Sequence, residues 1–362
     1  MKKLRIGIIG CGGIANGKHM PALKRLDSVE MVAFCDEVIE RAEKAAAEYG
    51  VAGSKVYLDY NELLADNSID VVHVLTPNNM HSPMTVAALK AGKDVMCEKP
   101  MAKTYAEAKM MYDTAIETGK KLTIGYQNRY RADSLYLKQM CDDGDLGEVY
   151  YARALAVRRR GVPTWGVFID EEKQGGGPLI DIGTHALDLT LWMMNNYEPE
   201  MVVGSVYRKL ADTENAANSN GPWDPKKFTT EDSAFGFVRM KNGATIWLES
   251  SWALNTLLVD EAKTILCGTK GGADMLGDGD GLRINGEKNS RLFVTVPELK
   301  QGGVAFYSGE NEKASDLEAR MWIDHVLDDS KPLLVKPEQA LMVTRILEAI
   351  YESAKTGRPV FF

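Results

Sequence analysis

"LRIGIIGCGGIANGKHMPAL", residues 4–23, decides the fold of the first part of the chain. Residues 4–10 have the apolar composition of a buried strand, which breaks into glycines before a stretch with helical spacing. Gly10-x-Gly12-x-x-Ala15 is the dinucleotide fingerprint with alanine at its third position. The first glycine permits a tight turn, the second lets the backbone approach a pyrophosphate, and the small third residue lets helix pack on strand. Amides of Gly12, Gly13 and Ile14 would then meet an anion at a helix N-terminus. A second strand, "EMVAFCD" (30–36), ends in Asp36, at roughly the 20-residue distance expected of a ribose-binding acid. A carboxylate there accepts bonds from ribose hydroxyls and repels a 2′-phosphate, so NAD is expected rather than NADP. Arg41 is read as lying one turn into the next helix, apart from Asp36.

Working outward, the alternation continues through "DVVHVLTPN" (70–78), "DVMCEKPMA" (94–102) and "KLTIGYQNRY" (121–130), with helices at 84–92 and 105–119. Read as six strands, five of them placed above, with intervening helices, the alternation predicts a doubly wound parallel Rossmann sheet over residues 1–126. Ligands of such sheets lie beyond the carboxyl ends of the strands. Those ends carry Thr76, Asn78, His81, Glu98, Lys99, Gln127 and Arg129, the candidate cofactor and substrate contacts.

After residue 130 strand candidates follow at 147–159, 201–210, 231–240, 244–253, 262–267 and 291–297, with turns between them. Residues 127–362 therefore predict a C-terminal α/β domain with a large, mostly antiparallel open sheet. Amphipathic helices at 312–328 and 337–356 close the chain. Within this domain "GGGPLIDIGTHALDLTLWMM" (175–194) is apolar around most of its circumference. Asp181, Thr184, His185 and Asp188 nevertheless fall on one face at α-helical spacing.

A chain of 362 residues with 45% hydrophobic and 26% charged residues suits a globular protein of two domains. The net charge of −8 argues against nucleic-acid and anionic-membrane partners. Five scattered cysteines lack metal-ligand spacing, so a reduced, cytoplasmic protein without a metal is expected. The uncharged run from Ile6 to Cys11 is shorter than a signal-peptide core, and the chain reads as unexported.

Together, Gly10-x-Gly12-x-x-Ala15, Thr76-Pro77-Asn78 with His81, Glu98-Lys99-Pro100 and Asp181-x-Gly183-x-His185 resemble the glucose–fructose oxidoreductase / inositol dehydrogenase / MocA (Gfo/Idh/MocA) family of sugar oxidoreductases. The resemblance spans nearly the whole chain. It implies catalytic roles for Lys99, Asp181 and His185, and places Asn78 and Glu98 near the nicotinamide and its ribose. Trp165 and the run 175–189 also look like bacterial glycoside 3-dehydrogenases of the family, which oxidise the C3 hydroxyl of a glucoside. Arg129, Arg159 and Trp165 join Asp181 and His185 as expected substrate contacts, and a homo-oligomer through the C-terminal sheet is implied. Inositol dehydrogenase, an NADP-linked sugar reductase and a non-catalytic dinucleotide-binding regulator are the alternatives.

The residues suit the chemistry. Oxidising a secondary alcohol sends a hydride to nicotinamide and leaves the protein to manage a proton. His185 titrates near operating pH. Lys99 could stabilise a developing alkoxide, or act as the base itself if burial lowers its pKa. Asp181, one turn from His185, could orient the imidazole or bind a sugar hydroxyl.

Overall fold

The computed structural model describes residues 3–275, 281–299 and 312–362. The chain divides into two compact units. Residues 1–130 and 312–341 form the first, and residues 131–311 and 342–362 the second. The grouping differs from a division of the chain at residue 126, because the helix Ala314–Leu327 belongs with the first unit. Its residues Ala319, Trp322 and Ile323 are buried in one core with Met20, Leu23 and Phe34. Burial of that apolar face, not proximity in sequence, decides its allegiance.

In the first unit β1 (Leu4–Ile9), β2 (Val29–Cys35), β3 (Lys55–Tyr57), β4 (Val71–Val74), β5 (Asp94–Cys97) and β6 (Leu122–Ile124) form one parallel sheet. Their order is β3-β2-β1-β4-β5-β6, the doubly wound arrangement. The central strands β1, β4 and β5 are almost wholly buried, as a sheet covered on both faces requires. Helix α1 (Met20–Lys24) follows the glycine turn through a π-helical turn, Ala15–His19. Helices α2 (Ile39–Tyr49), α3 (Tyr60–Leu64), α4 (Asn78–Lys90) and α5 (Tyr105–Thr118) make the crossovers. Thr104 caps α5 by accepting the amide of Glu107, and Gly119 ends it in the left-handed conformation.

The second unit holds a nine-stranded mixed sheet. It uses β7 (Val149–Val157), β8 (Pro199–Tyr207), β9 (Ser233–Met240), β10 (Thr245–Ser251), β11 (Asp260–Gly268), β12 (Gly271–Asp274), β13 (Arg283–Lys288), β14 (Arg291–Thr295) and β15 (Val360–Phe361). The order is β14-β13-β12-β11-β7-β10-β9-β8-β15, antiparallel except for β7 with β10. Its strands alternate: Ile246 and Leu248 of β10 point inward, whereas Trp247 and Glu249 face out. The buried helix Thr184–Met194 packs on β7 and β11. Tyr207, Phe235, Phe237 and Trp247 give the other face an aromatic surface, with Phe237 and Trp247 edge to face at 5.1 Å.

Candidate functional site

In the first unit the chain turns sharply after β1. Gly10 has a φ of 92°, and a Cβ on it would stand 2.5 Å from the carbonyl oxygen of Leu75. Gly12 is half-buried, Gly13 and Ile14 are exposed, and open space surrounds the positions a Cβ would take on Gly12 and Gly13. A helix starts directly behind this turn, leaving amides for an anion. At the end of β4, Thr76 Oγ1 is buried with no partner among the described residues. Exposed amides, a turn clear of side chains and an orphan hydroxyl fit a bound dinucleotide.

Asp36 ends β2 and is buried. Its Oδ2 accepts the amide of Cys11 at 2.8 Å and its Oδ1 that of Val38 at 2.9 Å. Arg41 Nη1 lies 3.6 Å from Asp36 Oδ1, which corrects the expectation that Arg41 stands apart. The helix begins at Ile39, so Arg41 is in its first turn and reaches back over the acid.

Asn78 and His81 both lie on α4, which starts earlier than its sequence pattern suggests. His81 Nδ1 is 2.7 Å from the carbonyl oxygen of Pro100 and Nε2 is 2.9 Å from that of Thr76. Burial holds its pKa below 6.5 against the pull of these carbonyls. Fully buried, His81 braces two strand-end loops against each other; this corrects its reading as a cofactor contact.

Glu98 is 4% exposed, and both its oxygens are used inside the unit. Oε1 accepts from Lys18 Nζ and His19 Nε2, each at 2.7 Å, and Oε2 accepts the amide of Lys99 at 3.1 Å. Burial alone would raise its pKa, but Lys18 and His19 outweigh it and hold the carboxyl well below 4.5. Burial works to lower the pKa of Lys18, yet the charges of Glu318 and Glu98 keep it above 10.5. His73 Nδ1 lies 3.3 Å from His19 Nδ1, and burial holds the pKa of His73 well below 6.5. With Nε2 of His19 donating to Glu98, its Nδ1 accepts from His73. Lys99 is half-buried and joined to Pro100 by a cis peptide bond. Gln127 accepts from Lys18 at 3.4 Å. Arg129 is fully buried, and its Nη1 donates to the carbonyl of Leu334 at 2.8 Å and to Gln339 Oε1 at 2.7 Å. It fastens the unit's returning segment, which corrects its reading as a sugar contact.

In the second unit the loop before the apolar helix is organised by Glu231. The carboxylate accepts from the amides of Gly177 at 2.7 Å and Leu179 at 3.2 Å, and from Tyr351 Oη at 2.8 Å. A Cβ on Gly177 would run into the backbone of Glu231, so this glycine serves close packing. Asp181 sits in a π-helical turn, Leu179–Gly183, ahead of the α-helix carrying His185. The strict α-helical stripe expected over Asp181, Thr184, His185 and Asp188 is therefore displaced at its first member. Asp181 Oδ2 accepts from Trp252 Nε1 at 3.1 Å. Asp181 and His185 are 9% and 7% exposed, whereas Thr184 and Asp188 are fully buried. Arg158 forms a two-pronged pair with Glu261, both contacts at 2.6 Å. Burial pulls its pKa down, but Glu261 and then Asp181 raise it above the usual arginine value. Arg159, the expected contact, is exposed, and its carbonyl accepts the amide of Leu254 at 3.1 Å. Trp165 is exposed and packs edge to face on Phe168.

Several residues of these arrangements escaped the sequence reading, among them Lys18, His19 and Glu318 in the first unit, and Glu231, Trp252 and Tyr351 in the second. The sequence offers one cue, a lysine–histidine pair inside an otherwise apolar helix start, "GKHMPAL". Among the described residues no cluster of three or more His, Cys, Asp or Glu could hold a metal ion, and no helix is long and apolar enough to cross a membrane.

A six-stranded parallel sheet in this order, with a glycine turn after β1, is the arrangement of dinucleotide-binding proteins. Sequence profiles agree: one for the oxidoreductase family's NAD-binding Rossmann fold matches residues 4–126, and one for its C-terminal alpha/beta domain matches residues 138–362. The chain belongs to the Gfo/Idh/MocA family and is an NAD-binding oxidoreductase. It is 37% identical over 358 residues to the D-glucoside 3-dehydrogenase of Escherichia coli K12, covering 99% of this chain and 97% of that one. An inositol 2-dehydrogenase of Salmonella typhimurium is 31% identical over 193 residues, 53% of this chain and 55% of its own. Among solved structures, levoglucosan dehydrogenase in complex with NADH shares the fold at a TM-score of 0.82 with 20% identity, over 99% of both chains. An oxidoreductase domain protein from Kribbella flavida does so at 0.85 and 22%, covering 100% of this chain and 99% of that one.

Proposed function

We propose that the protein is an NAD-dependent sugar dehydrogenase that oxidises the C3 hydroxyl of a glucoside to a 3-keto sugar. The observation that carries this reading is likeness to a D-glucoside 3-dehydrogenase along 99% of the chain. Inositol oxidation is the second reading, favoured by a match covering about half of the chain. NAD held at the glycine turn would supply the acceptor for the hydride of the carbinol carbon. The hydroxyl proton then passes to a side chain as the C–O bond becomes a carbonyl. Lys99 and His185 divide two tasks, taking that proton and stabilising charge on the oxygen. Asp181, oriented by Trp252, fixes the imidazole or a neighbouring hydroxyl. Thr76, Asn78 and Gln127 serve the cofactor with the amides of Gly12, Gly13 and Ile14.

Asp36 gives NAD its advantage over NADP, and Asp36→Ser is expected to raise kcat/KM for NADP by roughly tenfold, since removing one charge repulsion is worth about 1.4 kcal/mol. The aromatic face of the second unit's sheet suits a second copy of the chain, because exposed apolar patches mark contact surfaces. Five free thiols suit a cytoplasmic setting.

Incubation with NAD and a panel of glucosides and inositols, followed by mass spectrometry of the sugar, tests the reading. A 3-keto glucoside is expected. Oxidised inositol alone would replace the proposal, and no product at all would overturn it. Mass detection also covers a cofactor recycled in place.

A further inference from the structure

The Lys18 ammonium has three N–H donors, and three acceptors surround it: Glu98 Oε1 at 2.7 Å, Glu318 Oε2 at 2.8 Å and Gln127 Oε1 at 3.4 Å. Glu98 and Glu318 are 4% and 2% exposed, so one cation serves two buried carboxylates. Glu98 passes the constraint on, because its second oxygen holds the backbone amide of Lys99. The returning helix Ala314–Leu327 supplies Glu318, whose other oxygen, Oε1, has no partner among the described residues. Stability does not demand such a cluster, since buried ion pairs can often be exchanged for apolar side chains without loss. What it does supply is a single geometry.

We propose that Lys18 is a positioning residue for Lys99, acting through Glu98, and that Glu318 holds Lys18 in place for that task. The proposal rests on the reading of Lys99 as catalytic. It extends the machinery to a helix more than 200 residues away in sequence. The charged and titratable groups around Glu98 enter the argument, among them the buried His81 and Cys97, which feel its charge. Lys18 and His19 come from the π-helical turn, His73 stands behind His19 on β4, and Glu318 lies across Lys18. Removing the lysine leaves Glu98 with His19 and the amide of Lys99, and its carboxyl must then protonate at a higher pH.

The test uses the full-length enzyme in four variants. Lys18→Met/Glu318→Met exchanges the pair for apolar side chains of similar length and leaves one buried carboxylate, Glu98, without the lysine rather than two. We expect it to bind NADH, to lose kcat on the order of 10- to 100-fold through misplacement of Lys99, and to keep KM for NAD within about threefold. The acid limb of its kcat–pH profile should move up by at least about one pH unit, which a merely structural change would not do. Glu318→Gln keeps an oxygen acceptor for Lys18 and should retain kcat within about threefold, whereas Glu318→Ala should lose several-fold. A double variant with kcat within threefold of the parent and an unmoved acid limb overturns the proposal. If that protein does not fold, Glu318→Ala with unchanged kcat overturns it equally.

Lys99→Ala separates the two ideas. Full activity in that variant refutes the catalytic reading, while loss there with no loss in the double variant refutes only the positioning role. Should no sugar be turned over at all, the 13Cε resonance of Lys99, assigned by its disappearance in Lys99→Ala, needs no substrate. It should shift or broaden in the double variant, and an unchanged resonance overturns the proposal.

Discussion

Two buried glutamates, one in each unit, fasten the segments that carry the candidate catalytic residues, and they do so by opposite electrostatics. Glu98 is met by the Lys18 ammonium and by His19, and its carboxyl is held well below 4.5. Among the described residues Glu231 is met by neutral dipoles, chiefly the amides of Gly177 and Leu179 and the hydroxyl of Tyr351. Burial dominates there, and the pKa rises above 4.5. Tyr351 is pushed the same way, by burial and then by the charge of Glu231. An ion cluster fixes direction but cannot lose one member cheaply. A dipole cage is more forgiving, because a neutral amide can take the place of the acid.

The largest effects should come from the residues these anchors serve. Lys99→Ala and His185→Ala are each expected to cut turnover about 10²- to 10⁴-fold while NADH fluorescence titration shows cofactor still binding. A near-normal rate in either variant removes that unit's half of the comparison. Next comes Lys18→Met alone, which leaves two buried carboxylates without their cation. Urea denaturation should show a loss of about 3–5 kcal/mol, the usual cost of breaking a buried ion pair from one side. Trp252→Phe removes the donor to Asp181 and should cost about 1 kcal/mol in kcat/KM for the sugar, a hydrogen bond's worth, with the melting temperature little changed.

The smallest effect sharpens the contrast most. Glu231→Gln should change stability at neutral pH by no more than about 1–2 kcal/mol, and the change should depend on pH. A carboxyl whose folded pKa is raised contributes stability that is present below its unfolded pKa near 4.5 and is lost as pH rises through the folded value. The glutamine variant lacks that loss, so its melting temperature relative to the parent should climb between pH 4 and pH 7. Glu98 has the opposite sign: its contribution is present above 4.5 and disappears as pH falls through its depressed folded pKa. A flat difference curve for Glu231→Gln would erase the distinction between the two anchors.

Much of this architecture is legible in the sequence where the pattern is local. The buried runs of β1, β2, β4 and β5 and the alternation along β9 and β10 were all readable, and the helix Pro337–Thr356 falls where its periodicity sets it. Short elements were not, since Lys55–Tyr57, Gly271–Asp274 and Arg283–Lys288 hold too few residues with a clear inside and outside to leave a period. The Lys99 and Asp181/His185 motifs stood out by residue type. Their supports did not, because Glu318 and Glu231 meet their partners only through tertiary packing, and nothing at residue 318 points to residue 18. Arg129 misled for the same reason: an arginine beyond a strand end looks like a ligand contact until Leu334 and Gln339 are seen to occupy it.

Because residues 312–341 belong to the first unit, the order in which the ribosome delivers the chain matters. The six parallel strands emerge within the first 130 residues, yet Trp322 and Ile323, which close the core over Met20 and Leu23, emerge some 190 residues later. Until then Lys18 also lacks one of its two carboxylates. The nucleotide-binding unit, first to be synthesised, is thus completed only after nearly all of the second unit's sheet has been made. Contacts of such long sequence separation are slow to form, and the nascent glycine turn must wait for residues 312–341 before its surroundings are whole.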